Sequence, residues 1–190
     1  MLQPPGTRER LIGARVLAIT EGDITRIGAD AIGNAANSAL SPGGGVDAAI
    51  HHAGGPAILL DLEARYGAMR HCATGSAVVT GAGRLPAKWV IHAVGPVWRG
   101  GVSGEADRLV AAYRSALRLA TELGARTMTL PAISCGIYGY PLDRGARIAL
   151  RTVAAFLAGP TTLERATFVL FSRATFEAFA TELAALPEEA

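Results

Sequence analysis

Cysteine is scarce in this chain of 190 residues: Cys72 and Cys135 are the only two, and they are not spaced as a C-x-x-C pair. A disulfide framework and a cysteine-rich zinc site are thereby excluded, and a reducing, cytoplasmic setting is expected. Long apolar runs are missing as well. The stretch 89–94 falls far short of the roughly 20 residues that span a bilayer, and no secretory h-region opens the sequence, so no membrane partner is expected. Charge of one sign is also lacking: 18 Lys and Arg stand against 16 Asp and Glu, a net +2 with no basic block. Duplex nucleic acid, whose binding requires many phosphates to be neutralised, is a poor fit, and a small ligand is a better one. The four histidines, His51, His52, His71 and His92, form no H-x-x-x-H or H-E-x-x-H pattern, which argues against a metal site.

Half of the residues are hydrophobic and 18% are charged, a balance that predicts one compact domain, expected to be a monomer. Residues 1–14 read as an N-terminal tail because Gln3-Pro4-Pro5-Gly6 opens loosely, leaving 15–190 as the domain. Within it, strand-like runs at 15–20, 31–33, 77–80, 88–94, 127–130 and 167–171 take turns with helix-like runs at 46–53, 57–66, 105–123, 144–157 and 174–183. That alternation predicts an α/β sheet covered on both faces, with ligands received outside the carboxyl ends of its strands.

Two glycine-rich loops leave such strand ends. One is Pro42-Gly43-Gly44-Gly45-Val46-Asp47 and the other Ser134-Cys135-Gly136-Ile137-Tyr138-Gly139. Glycine lets backbone N–H groups crowd around an anion, and a following helix adds its positive end, so the pair suggests a diphosphate held from both sides.

Five stretches taken in order carry a resemblance: Gly22-Asp23-Ile24-Thr25, Asn34-Ala35-Ala36-Asn37-Ser38, the run from Gly43 to His51, the run from Pro86 to Pro96 through Val90-Ile91-His92-Ala93-Val94-Gly95, and the run from Pro131 to Pro141. Together they resemble the macrodomain family, and within it the MacroD-type branch of ADP-ribosyl hydrolases. The resemblance implies a three-layer α/β/α fold with a mixed, mostly parallel six-stranded sheet. It implies ADP-ribose as ligand and ADP-ribosylated proteins as partners, with no cofactor. It also implies an activity: removal of mono-ADP-ribose from acidic side chains and deacetylation of O-acetyl-ADP-ribose.

By the same resemblance Asp23 takes the adenine amine with the Ile24 backbone beside it, and Phe171 stacks on the base. Gly43, Gly44, Gly45 and Val46 face the diphosphate from one side, and Ser134, Cys135, Gly136, Ile137 and Tyr138 from the other, with Tyr138 over the ribose. Asn34, Asn37, Asp47 and His51 surround the distal ribose as the catalytic group. Read without the family, Asp23 is a helix N-cap and Phe171 an aromatic that closes an apolar strand into the core. Asp47 and His51, four apart on one helix face, either orient a water or merely complement the helix dipole. His92, in an apolar strand, reads as a hydrogen-bonded core histidine. Cys135 reads as a space-filler, with a thiol nucleophile as the other possibility.

Three positions depart from the family pattern. Pro42 stands where a first glycine is usual, stiffening the loop entry and removing one N–H donor. Gly33 replaces a valine and is expected to loosen the packing under Asn34, and Cys135 is the third. A different class of function stays open: a reader that binds ADP-ribose and cleaves nothing, using the same pocket.

Overall fold

The computed structural model describes residues 6–187. Seven strands, β1 (Arg8–Ile12), β2 (Arg15–Glu21), β3 (Ala31–Ala36), β4 (Ala77–Gly81), β5 (Trp89–Val94), β6 (Thr127–Leu130) and β7 (Arg165–Leu170), form one sheet in the order β1-β2-β7-β6-β3-β5-β4. The five central strands run parallel, while β1 on β2 and β4 on β5 are antiparallel. Alternate residues of the central strands enter two separate cores. Ala31, Ile91, Ala93 and Phe168 pack under α3 (Glu105–Glu122), α4 (Leu142–Ala158) and α5 (Arg173–Ala184). Ile32, Ala36, Val90 and Val94 pack under α1 (Val46–Gly54) and α2 (Pro56–Tyr66). Strands buried on both faces explain why the sequence shows continuous apolar runs there rather than alternation, and the result is the three-layer α/β/α arrangement.

The sheet has one strand more than the six expected. The addition is β1, which pairs with β2 from Arg8 opposite Ile19 to Ile12 opposite Arg15, within the stretch expected to be a tail. Its sequence, Arg-Glu-Arg-Leu-Ile, hides it: an edge strand is half solvated and tolerates charge that blunts sheet-to-sheet pairing, and of the five only Ile12 is buried. Residues 1–5 of the expected tail, with Gln3, Pro4 and Pro5, lie outside the described residues.

Two further differences bear on the site. β3 runs on to Ala36 instead of stopping at Gly33, because its parallel pairing with β5 continues through Asn34 opposite His92 to Ala36 opposite Val94. Asn34 is therefore a buried strand residue. Gly33 does not loosen the packing beneath it: a Cβ added there would lie 2.9 Å from Leu130 Cδ2 and 3.2 Å from the Thr129 carbonyl, so Leu130 already occupies the space a valine would need.

Candidate functional site

A cavity of about 600 Å³ opens at the carboxyl ends of the five parallel strands, a size suited to a ligand larger than a simple sugar. Asp23 and Ile24 reach it from the end of β2, Phe171 from β7, residues 134–138 from β6, Asn37 from β3 and Gly95 from β5. Gly43, Gly44, Gly45, Val46 and Asp47 complete the wall.

At one end, Asp23 performs the local task its position suggests and still faces the cavity. Its Oδ1 accepts from Thr25 N at 2.9 Å and Thr25 Oγ1 at 2.7 Å, capping the short turn Ile24–Arg26. The Thr25 hydroxyl bond, opposed by burial and aided by the Thr25 amide and Arg26, holds the carboxyl below its ordinary range. An ionised carboxylate only accepts, and Oδ2, 3.6 Å from the exposed Arg26 Nε, has lone-pair capacity to receive a further donor such as an exocyclic amine. Phe171 falls one residue past β7 and is 87% exposed, so it belongs to the cavity wall and not to the core.

The two glycine loops meet over the middle of the cavity. Gly45, in the left-handed region at φ 61°, opens α1, whose N-terminus carries no side-chain cap, so its positive end remains for an anion. Ile137 is 75% exposed and reaches across: a Cβ on Gly44 would lie 2.6 Å from its Cδ1. Ser134 sits at φ 67°, a left-handed conformation unusual for a residue with a side chain. Its buried Oγ has no hydrogen-bond partner among the described residues. Gly95 is required opposite it, because a Cβ there would lie 2.2 Å from that oxygen.

Residues that the motifs did not single out hold this second loop. The hydroxyl of Tyr113 on α3, fully buried, accepts from Ile133 N at 2.9 Å and donates to the Pro131 carbonyl at 3.1 Å. Glu105 at the start of α3 accepts N–H bonds from Arg99, Gly101 and Ser103, and Trp98 N donates to the Tyr138 carbonyl at 2.9 Å. Cys135 fills space: a Cβ on Gly145 of α4 would lie 2.3 Å from its Sγ, and burial pushes the thiol up to about 12. A thiol of that kind is no nucleophile at neutral pH.

The other end of the cavity centres on Asp47, buried in the first turn of α1. Its Oδ2 accepts from Gly43 N at 2.5 Å and its Oδ1 from Asn34 Nδ2 at 2.6 Å. His51 Nε2 lies 3.7 Å from the same Oδ1, while His52 is exposed and its carbonyl accepts from Arg84 Nη2 at 3.4 Å. Asn37 lines the cavity and braces the first loop through Ser41, donating to its carbonyl at 2.6 Å and accepting from its amide at 3.3 Å. Asn34 and His51 do not line the cavity; both act on Asp47 from behind. Burial, and then the charge of Asp47, push the Tyr138 phenol above its ordinary value, so at neutral pH it is a neutral donor beside the carboxylate. Pro42 is exposed and lies outside the wall, which begins at Gly43.

Ligand atoms of Asp47, His51 and His92 all lie within 4.8 Å of one another, the one histidine and carboxylate cluster with metal-like spacing among the described residues. His92 cannot serve as a ligand as it stands. Its Nδ1 lies 3.1 Å from Asn34 Nδ2 and its Nε2 lies 3.0 Å from Thr80 Oγ1, so both nitrogens are engaged. Burial, with His51 adding to it and Asp61 opposing, pushes its pKa down to about 3.

Residues 33–149 match the family model described as Macro domain. An O-acetyl-ADP-ribose deacetylase of Salmonella gallinarum is 48% identical over 164 residues, covering 86% of this chain and 92% of that protein. The Oceanobacillus iheyensis macrodomain, solved with ADP, superposes with a TM-score of 0.89 at 34% identity, covering 95% of this chain and 96% of that one. The Trypanosoma brucei macrodomain, solved with ADP-ribose, gives a TM-score of 0.77 at 38% identity, covering 87% and 68%. The mixed sheet, the paired glycine loops and these matches place the chain in the macro domain family.

Proposed function

We propose that the cavity binds ADP-ribose and that the chain is a hydrolase, deacetylating O-acetyl-ADP-ribose and removing mono-ADP-ribose from acidic side chains of proteins. The observation that carries this reading is Asp47, a buried carboxylate at the cavity wall held by one N–H from the glycine loop and one from Asn34. The Salmonella gallinarum relative named for the deacetylase supports the ester reaction.

The residues divide along the ligand. Adenine lies on Phe171 with its amine toward Asp23, and the diphosphate lies between the two loops. There the uncapped start of α1 offsets its charge. The distal ribose then rests on Asn37 and Asp47 beneath Tyr138. Asp47 orients a water and takes its proton as the oxygen attacks the ester carbonyl, or C1″ where the ribose is linked to a protein carboxylate. The leaving oxygen departs with the proton, giving acetate or a free side chain and ADP-ribose. Fixing water and ester in one geometry supplies much of the rate, and the positioned base contributes about 10²–10⁴-fold.

The test compares wild type with Asp47→Ala on two substrates: O-acetyl-ADP-ribose and a protein mono-ADP-ribosylated on glutamate. Release by the wild type alone is the expected result. ADP-ribose binding by calorimetry with no release from either substrate would leave a reader module instead.

A further inference from the structure

The sheet face under α1 and α2 is apolar almost throughout, with Ile32, Val90 and Val94 packed against Ile50, Ile58 and Leu62. One polar line crosses it. Thr80 Oγ1 lies 3.0 Å from His92 Nε2, His92 Nδ1 lies 3.1 Å from Asn34 Nδ2, and that same amide nitrogen donates to Asp47 Oδ1 at 2.6 Å. None of the four residues is more than 3% exposed. Strand register sets the line: Asn34 is opposite His92 in the β3–β5 pair, and Thr80 lies diagonal to His92, since Val78 is opposite His92 in the β4–β5 pair.

Buried polar groups are unfavourable unless partnered, and hydrocarbon side chains would fill these places as they do at the neighbouring positions. The donors and acceptors fall into one consistent order, which leaves Asn34 Oδ1 without a hydrogen-bond partner among the described residues. Asn34 must turn its NH₂ group toward Asp47, because its carbonyl would otherwise stand 2.6 Å from a carboxylate oxygen. The second N–H of that amide then points at His92 Nδ1, which must be an acceptor. The imidazole proton is left on Nε2, where it is donated to Thr80 Oγ1.

We propose that His92, set as its Nε2–H tautomer by the Asn34 N–H at Nδ1 with Thr80 receiving the proton, is a positioning residue for hydrolysis: by accepting one Asn34 N–H it aims the other at Asp47 Oδ1. This rests on the reading of Asp47 as the catalytic carboxylate. It also gives His92 a task that its apolar strand context conceals. Without the Thr80 hydroxyl the Nε2–H is a buried donor left unpaired, and relieving it by moving the proton to Nδ1 sets that proton head-on against the Asn34 N–H and turns the amide away from Asp47.

Thr80→Val keeps the side-chain shape and removes the hydroxyl, Thr80→Ser keeps the hydroxyl, and His92→Phe keeps a ring and removes the acceptor. With O-acetyl-ADP-ribose, Thr80→Val and His92→Phe are expected to lower kcat by about 10- to 100-fold. ADP-ribose Kd should stay near the wild-type value, and Thr80→Ser should recover most of the rate. Nitrogen-15 NMR of the imidazole should show a protonated Nε2 in the wild type and loss of that tautomer in Thr80→Val. A folded Thr80→Val with full kcat, a wild-type His92 protonated on Nδ1, or a fall in kcat matched by an equal loss of ADP-ribose binding would each overturn the positioning role. An active wild type with unimpaired variants sinks this inference alone, whereas a wild type that binds ADP-ribose and releases nothing sinks the hydrolase reading with it.

Discussion

Gly43 N donates to Asp47 Oδ2 at 2.5 Å, so the first N–H of the glycine loop is bound to the carboxylate and is not offered to the anion. The loop and the Asp47 end of the cavity are thereby one mechanical unit. Loop donors remain from Gly44 onward, which makes the N–H lost at Pro42, one residue earlier and outside the wall, of little consequence for anion binding.

Asp47→Asn tests that coupling. An asparagine has one acceptor oxygen and cannot serve both Gly43 N and Asn34 Nδ2, and its own NH₂ group would face a donor on one side. Hydrolysis is expected to fall by about 100-fold or more with loss of the base. Loss of a charge-assisted bond worth about 1.5–3 kcal/mol frees the loop, so ADP-ribose Kd should rise by about 10- to 150-fold. Calorimetry and steady-state rates on the same preparation separate the two effects. A lost rate with unchanged Kd would show that the loop does not depend on the carboxylate.

How much of this was legible in the sequence follows from how local each signal is. Asp23, the glycine loops and the spacing of Asp47 and His51 are visible because turn chemistry and helical periodicity act within a few residues. The depth of Asn34 was not legible, since it depends on β3 pairing past Gly33 with a strand nearly sixty positions on. Tyr113 and Thr80 act across smaller gaps, 18 and 20 positions to Pro131 and Ile133 and 12 positions to His92, and belong to no short pattern. Phe171 was ambiguous for another reason: an aromatic at a strand end is equally suited to a core and to a base platform, and only its 87% exposure decides between them.

Phe171→Ala should therefore weaken binding and spare chemistry. Stacking of a base on an aromatic ring contributes about 1–3 kcal/mol, so ADP-ribose Kd is expected to rise by about 5- to 150-fold. kcat at saturating substrate should change little, because the ring is remote from the reacting ribose, and Phe171→Trp should restore affinity. An unaltered Kd would remove Phe171 from the site.

Gly33→Val puts the side chain expected of the family where Leu130 already packs. The added Cβ would lie 2.9 Å from Leu130 Cδ2 and 3.3 Å from Pro131 Cδ, and overpacking of this kind costs about 1–3 kcal/mol. Urea unfolding should show that loss, with part of it recovered when Leu130→Ala is added, a coupling that a double-mutant cycle measures directly. Additive effects of the two substitutions would mean that Leu130 does not occupy the space left by the missing valine side chain.

Asp30 joins the starts of three strands at the far end of the sheet. Its Oδ2 accepts from Arg126 N at 2.9 Å and Thr127 N at 3.1 Å before β6, and its Oδ1 lies 3.0 Å from Lys88 Nζ before β5. The Lys88 bond first, then the Arg126 and Thr127 amides, bring its pKa down from 3.8 to about 2 against the effect of burial. A carboxyl depressed in the folded state stabilises the fold at pH values above the unfolded pKa. That contribution fades as pH falls from about 4 toward 2, where the folded form also takes up its proton. Asp30→Asn is expected to lower the unfolding free energy by about 1–3 kcal/mol at neutral pH. The gap to wild type should hold down to about pH 5 and close between pH 4 and 2 in urea titrations. A gap that persisted unchanged to pH 2 would assign the effect to packing and not to the ionised carboxylate.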